Sequence, residues 1–191
     1  TKTLDKTVLS LTIFGDLIND KFIKRSSARS SDHIYVSGTI GDSALGLHCK
    51  KKAKVNILKK HKEFLFNRYL KPNPRIDLIN YINKNASAST DISDGLYSDL
   101  DNICRASNLG ADINFNSVPL SNAARAIITK YPKLNKLILS GGDDYEVLFT
   151  GRDGLDRNKK ITKIGKMKKG YNINITDFDD ITNLDGYKHK F

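Results

Sequence analysis

The chain predicts an α+β domain in which helices layer onto a mixed sheet. Three observations carry this. Segments with strand character alternate with segments of helical periodicity, without settling into a clean βαβ repeat. Hydrophobic residues make up 39% of the 191 residues and charged residues 28%, an ordinary globular balance with enough apolar side chains for a core. No apolar run approaches the roughly 18–20 residues needed to span a bilayer.

Taken in order, residues 3–14 (TLDKTVLSLTIF) are rich in β-branched side chains and predict a strand, one with no neighbour upstream of it. The polar stretch 24–32 (KRSSARSSD) predicts a loop or linker, and His33–Ser37 a buried strand. Gly38 and Gly41 then turn the chain into a helical run, DSALGLHCKKK. Val55, Leu58, Leu65 and Tyr69 recur at helical spacing, so residues 55–70 predict an amphipathic helix, stopped by Pro72 and Pro74. A second amphipathic helix is expected over 76–83 with Ile76, Ile79 and Ile82 on one face. Residues 87–92 predict a strand, and Leu96, Leu100, Ile103 and Ser107 a helix with Gly110 at its C-terminal side. Strand 111–115, helix 121–130 behind Pro119, strand 145–150 behind Gly141-Gly142, and the short strands KITKIGKM and YNINIT complete the pattern.

The charge balance is 32 Lys and Arg against 21 Asp and Glu, a formal +11. Such an excess suits a polyanionic partner, either nucleic acid or phosphorylated small molecules. Here the lysines are spread out and not interleaved with aromatics as a stacking platform needs, so nucleic acid is not expected as a partner. Cys49 and Cys104 lie far apart without metal-ligand spacing and read as two free thiols in a reducing compartment. With neither a signal-peptide layout nor a membrane span, the cytoplasm is the expected location. The four histidines share no ligand spacing, and no Ser/His/Asp set assembles.

Three constellations could carry chemistry. In Thr90-Asp91-Ile92-Ser93-Asp94-Gly95-Leu96, two carboxylates sit where a strand gives way to a helix. That junction offers backbone N–H groups and the positive end of a helix dipole to phosphate oxygens. Asp91 and Asp94 make sense beside a phosphate if a hard cation such as magnesium bridges them. The alternative is that Ser93 or Asp94 only caps the following helix. In Ser140-Gly141-Gly142-Asp143-Asp144-Tyr145-Glu146, three acids surround a tyrosine behind a glycine pair, suited to a cation or a positively charged ring, or else to a solvated turn. Third, Val36-Ser37-Gly38-Thr39-Ile40-Gly41-Asp42-Ser43 has the outline of a phosphate cradle but matches neither a P-loop nor GxGxxG, and close packing of the helix on the sheet explains both glycines better. Arg25 and Arg29 in the polar linker have the planar geometry that meets phosphate bidentately.

Together, RSSARSSDHIYVSGTIGDSALGL, KPNPR, TDISDGLYSDL, SGGDDYEVLFTG and the terminal GYKHKF resemble the thiamine-monophosphate kinase family, in order and approximate spacing over essentially the whole chain. The resemblance implies the C-terminal domain of the fold shared with aminoimidazole ribonucleotide synthetase. It implies transfer of the γ-phosphoryl of ATP onto thiamine monophosphate, giving thiamine diphosphate, with Mg2+. It assigns Arg25 and Ser93 to ATP, Asp91 and Asp94 to magnesium, and Asp143 and Tyr187 to thiamine monophosphate. An acid and an aromatic beside a cationic thiazolium are physically apt, and phosphoryl transfer chiefly requires positioning and charge neutralisation. It also implies that residues 1–29 end an ATP-binding N-terminal domain whose body is elsewhere, in cis or in trans, and that 30–191 form the C-terminal kinase domain. That missing half would carry most magnesium aspartates and the dimer interface, leaving the isolated chain inactive. The sequence departs from the family's RSGAKPGD, which reads RSSARSSD here, and from its terminal motif, where an acid usually follows the aromatic. A non-catalytic remnant that binds a phosphorylated ligand, or nothing, is the competing expectation.

Overall fold

A six-stranded sheet organises the residues that the computed structural model describes, namely 9–17, 20–51, 55–178 and 184. The strands are β1 (His33–Ser37), β2 (Ala86–Asp91), β3 (Gly110–Asn114), β4 (Val147–Gly151), β5 (Ile161–Lys168) and β6 (Ile173–Thr176). Their order across the sheet is β2-β4-β1-β5-β3-β6. Every pairing is antiparallel except β3 with β6, which makes the sheet mixed. The helices are α1 (Asp42–Lys51), α2 (Lys59–Leu70), α3 (Ile79–Asn85), α4 (Leu96–Ser107), α5 (Asn122–Lys130) and α6 (Lys136–Ser140).

The alternation of side chains along each strand sorts the core into two layers. Ile34 and Val36 of β1, Leu148 of β4 and Ile164 of β5 point to one face, where Leu45, Leu65, Leu100, Ile127 and Leu139 of five helices cover them. Each such fully buried Leu or Ile contributes about 1.5–3 kcal/mol. Tyr35 and Phe149 point to the other face, beside Leu78, Ile82 and Leu155. They are direct cross-strand partners with ring centroids 5.3 Å apart, and the Tyr35 hydroxyl donates to the Arg152 carbonyl at 2.8 Å. β1 is therefore buried on both faces, as its unbroken apolar centre requires.

Several elements differ from expectation. Residues 9–14 of the expected first strand are irregular, with Leu9, Leu11, Ile13 and Phe14 exposed. A β-branched run forms a strand only where a partner edge accepts it, and among the described residues neither edge strand does. Residues 3–8 of that strand lie outside the described ones. α2 begins at Lys59, not at residue 55, so Val55 is buried from a loop while Leu58 stays exposed. Around 76–85 the buried residues are Leu78 and Ile82, with Ile76 and Ile79 exposed, because the segment opens as a tight 3-10 turn that rotates the face. α4 ends on Asn108 in the left-handed region (φ 54°), a conformation Asn tolerates, and Gly110 instead starts β3. α6 was not expected. Cys49 and Cys104 are both free thiols, and burial pushes the Cys104 thiol up to about 12.

Candidate functional site

β2 and β4 are neighbours, and the two acidic motifs leave them at the same end of the sheet. Beyond the last ladder pair, Asp91 with Val147, the loops continue to zip together. The Ile92 N–H donates to the Glu146 carbonyl at 2.8 Å, while the N–H groups of Tyr145 and Asp143 donate to the carbonyls of Ile92 and Ser93, both at 2.9 Å. Gly142 permits this approach, since a Cβ there would stand 2.1 Å from the Ser93 carbonyl oxygen. Gly95 turns the chain into α4 at φ 120°, a conformation side chains rarely adopt.

Neither Ser93 nor Asp94 caps α4. The buried Asp99, in the helix's first turn, reaches back and accepts from the N–H groups of both, each at 3.0 Å. Burial, opposed by these bonds, raises the Asp99 carboxyl above its usual range. The side chains of Ser93 and Asp94 are thereby left half-buried at the loop surface, with Asp91 exposed beside them and Ile92 anchored in the core. Sequence reasoning missed Asp99, although an acid in the first helical turn is a signal for such a reach-back.

The acids of the second motif divide by position. Asp144 is buried and accepts from the N–H groups of Gly41 (2.5 Å) and Ser43 (3.1 Å). Burial pushes its carboxyl up to about 7 against these bonds. The outline of a phosphate cradle at residues 36–43 is thus filled by the protein's own carboxylate, and packing accounts for it. Glu146 is buried too, bonded by the Ser37 hydroxyl (2.6 Å), by Arg68 (2.8 Å) and by both nitrogens of an Arg75 fork (2.5 and 2.6 Å). The Glu146 bonds in turn raise the Arg75 guanidinium further. Asp143 alone of the three acids faces outward, half-buried, with backbone φ of 67°.

Arg25 joins this rim. Its Nε donates to the Thr90 hydroxyl at 3.1 Å, one residue before Asp91, and its carbonyl accepts from Ser107 of α4 at 2.9 Å. The structure thus gathers Arg25, Asp91, Ser93, Asp94 and Asp143 at one end of the sheet. Tyr187 lies outside the described residues. Tyr145, between the two buried acids, senses the cluster: partial burial and then the charges of Asp143, Asp91 and Asp94 raise its hydroxyl above the usual range. Asp91 and Asp94 offer hard carboxylate oxygens of the kind Mg2+ takes alongside phosphate oxygens and water. Among the described residues no group of three or more His, Cys, Asp or Glu side chains gathers to hold a metal. No helix among the described residues is long and apolar enough to cross a membrane.

No protein-family model matches the sequence. The thiamine-monophosphate kinase of Buchnera aphidicola subsp. Acyrthosiphon pisum is 36% identical over 182 residues, covering 93% of this chain and 53% of the relative. A solved structure of AaThiL complexed with AMPPCP and TMP superposes with a TM-score of 0.77 at 34% identity, covering 90% of this chain and 55% of that one. E. coli HypE, a hydrogenase maturation protein, shares the fold alone, with a TM-score of 0.64 at 12% identity over 90% of this chain and 53% of that one. The α+β mixed-sheet architecture is therefore that of the aminoimidazole ribonucleotide synthetase-like proteins. The chain is a homologue of the thiamine-monophosphate kinases and spans about half the length of the curated relatives it matches.

Proposed function

We propose that this chain supplies the C-terminal part of an ATP-dependent kinase site that phosphorylates thiamine monophosphate to thiamine diphosphate. The observation that carries the reading is the zipping together of the 91–95 and 141–146 loops, which sets Asp91, Ser93, Asp94 and Asp143 along one rim. In this reading Arg25 and Ser93 contact ATP, and Asp143 meets the cationic thiamine moiety, as does Tyr187. Asp91 and Asp94 hold Mg2+, which when bound neutralises the phosphate charge that the two substrates bring together. The relative named for a complex with AMPPCP and TMP supports this choice of substrates.

Residues 1–29 then belong with a second, ATP-binding half and 30–191 form the kinase domain. Two carboxylates bind magnesium weakly, so the second half completes the metal site from the same or another chain. Calorimetry and product assay test this together. The purified chain should take up thiamine monophosphate or Mg-ATP yet form no thiamine diphosphate until the other half of a thiamine-monophosphate kinase is added. Turnover at enzyme-like rates by the chain alone refutes the division of labour. Binding of neither ligand refutes the site and leaves a non-catalytic remnant.

A further inference from the structure

Tyr145 has a combination of properties that packing does not explain. It lies between two fully buried acids, yet it is 42% exposed. Both Asp143 and Tyr145 occupy the left-handed region, at φ 67° and 50°. A bulky residue held there costs on the order of 1–3 kcal/mol, and such strain persists only where the surroundings impose it. Here they do. Buried Asp144 ties the turn to the start of α1, buried Glu146 ties it to Arg68 and Arg75, and the backbone bonds to Ile92 and Ser93 hold the other side. The outcome is a raised turn that presents Asp143 and an aromatic ring on its outer side. The charges of Asp143, Asp91 and Asp94 all act on its hydroxyl.

We infer that Tyr145 is a substrate-binding residue whose ring face receives the positively charged heteroaromatic ring of the substrate, with Asp143 beside it as counter-charge. The inference rests on the functional reading above and adds a residue and a selection principle to it. An aromatic face attracts a cation through its quadrupole. Carboxylates around the ring strengthen that preference and disfavour a bare anion at the same spot. The phosphate end of the substrate is thereby turned away from Tyr145, toward whatever cations neutralise Asp91 and Asp94.

The experiment is a ligand-observed NMR titration of the full chain with thiamine monophosphate, comparing wild type, Tyr145→Phe and Tyr145→Asn. Asn accepts the left-handed backbone, so that variant removes the ring without adding strain. Melting midpoints within about 3 °C of wild type verify folding for both variants, a shift expected of a surface change. Tyr145→Phe should bind within about threefold of wild type, and Tyr145→Asn should lose about three- to thirtyfold, the range of a cation–π contact. Equal binding by Tyr145→Asn and wild type overturns the assignment, as does an equal loss in both variants, which would point to the hydroxyl instead of the ring. A folded wild-type chain that does not bind thiamine monophosphate at all refutes the functional reading itself, and Tyr145 falls with it.

Discussion

Glu146 is the residue whose replacement should unsettle the site from beneath. Its carboxylate is fully buried and receives four bonds, from Ser37 at 2.6 Å, Arg68 at 2.8 Å and the two nitrogens of Arg75 at 2.5 and 2.6 Å. Arg68 and Arg75 are themselves only 14% and 18% exposed. Glu146→Ala therefore leaves Arg75 without its buried carboxylate and Arg68 with only Asp42, 3.9 Å away, and breaking a buried pair in this way costs about 3–5 kcal/mol. For a chain of this size each kcal/mol moves the melting midpoint by about 2–4 °C, so a drop of about 10 °C is expected. Glu146→Gln keeps the shape and one acceptor oxygen but turns an amide N–H toward guanidinium, and should cost at least about 2 kcal/mol. Arg75→Met should cost less than Glu146→Ala, because Arg68 and Ser37 still answer the carboxylate. The chain has no Trp, so unfolding is best followed by far-ultraviolet circular dichroism in urea and on heating. A Glu146→Gln midpoint within 2 °C of wild type would refute the reasoning, since the pair would then contribute no more than an exposed one.

Three further outcomes follow from the same geometry. Gly142→Ala drives a Cβ to within 2.1 Å of the Ser93 carbonyl oxygen, so it should destabilise by about 1–3 kcal/mol, as overpacking does, and weaken thiamine monophosphate binding more than tenfold; calorimetry and melting check both. Asp144 releases its proton at about 7 in the folded chain but near 3.9 when unfolded, so between those values the native state holds a proton the unfolded state has lost. Its contribution is full below about pH 4 and lost as the pH rises through about 7, so the wild-type stability advantage over Asp144→Asn in urea should shrink from pH 4 to 7 and level off above. Asp91→Asn and Asp94→Asn should leave the melting midpoint within about 2 °C of wild type and abolish the midpoint's response to Mg2+ with ATP, as measured by thermal shift.

The backbone framework was legible because its signals are local. His33–Ser37 and the Leu96, Leu100, Ile103 stripe carry the periodicity that burial demands, and both appear where that periodicity puts them. Ser121 caps α5 by accepting from the Ala124 N–H at 3.0 Å, a bond encoded within four residues. What escaped was decided at long range. The strand character of residues 9–14 is intrinsic preference without a partner edge, and preference alone does not make a strand. Ile76 and Ile79 have helical spacing, but the 3-10 turn that follows Pro74 sets which of their neighbours faces Phe149.

The candidate site shows the same division within a single tetrapeptide. Asp143, Asp144, Tyr145 and Glu146 read on paper as one acidic turn, and the choice between ligand site and solvated turn was open. The fold assigns alternate members opposite tasks. Asp144 and Glu146 turn inward to partners about one hundred residues away in sequence or nearer seventy, Gly41 and Ser43 for one and Ser37, Arg68 and Arg75 for the other. No window of sequence around the turn contains those partners, so no local reading separates the structural acids from the exposed one. Once they are fixed, Asp143 and Tyr145 have only the outer side left, and both accept a left-handed backbone to occupy it. The same logic holds across the rim, where Ile92 and Asp99 anchor the 91–95 loop and leave Asp91, Ser93 and Asp94 outward. Inward anchors on both loops are thus what make the outward groups available to a ligand, and a variant that loosens an anchor should weaken binding without touching a single ligand-facing atom.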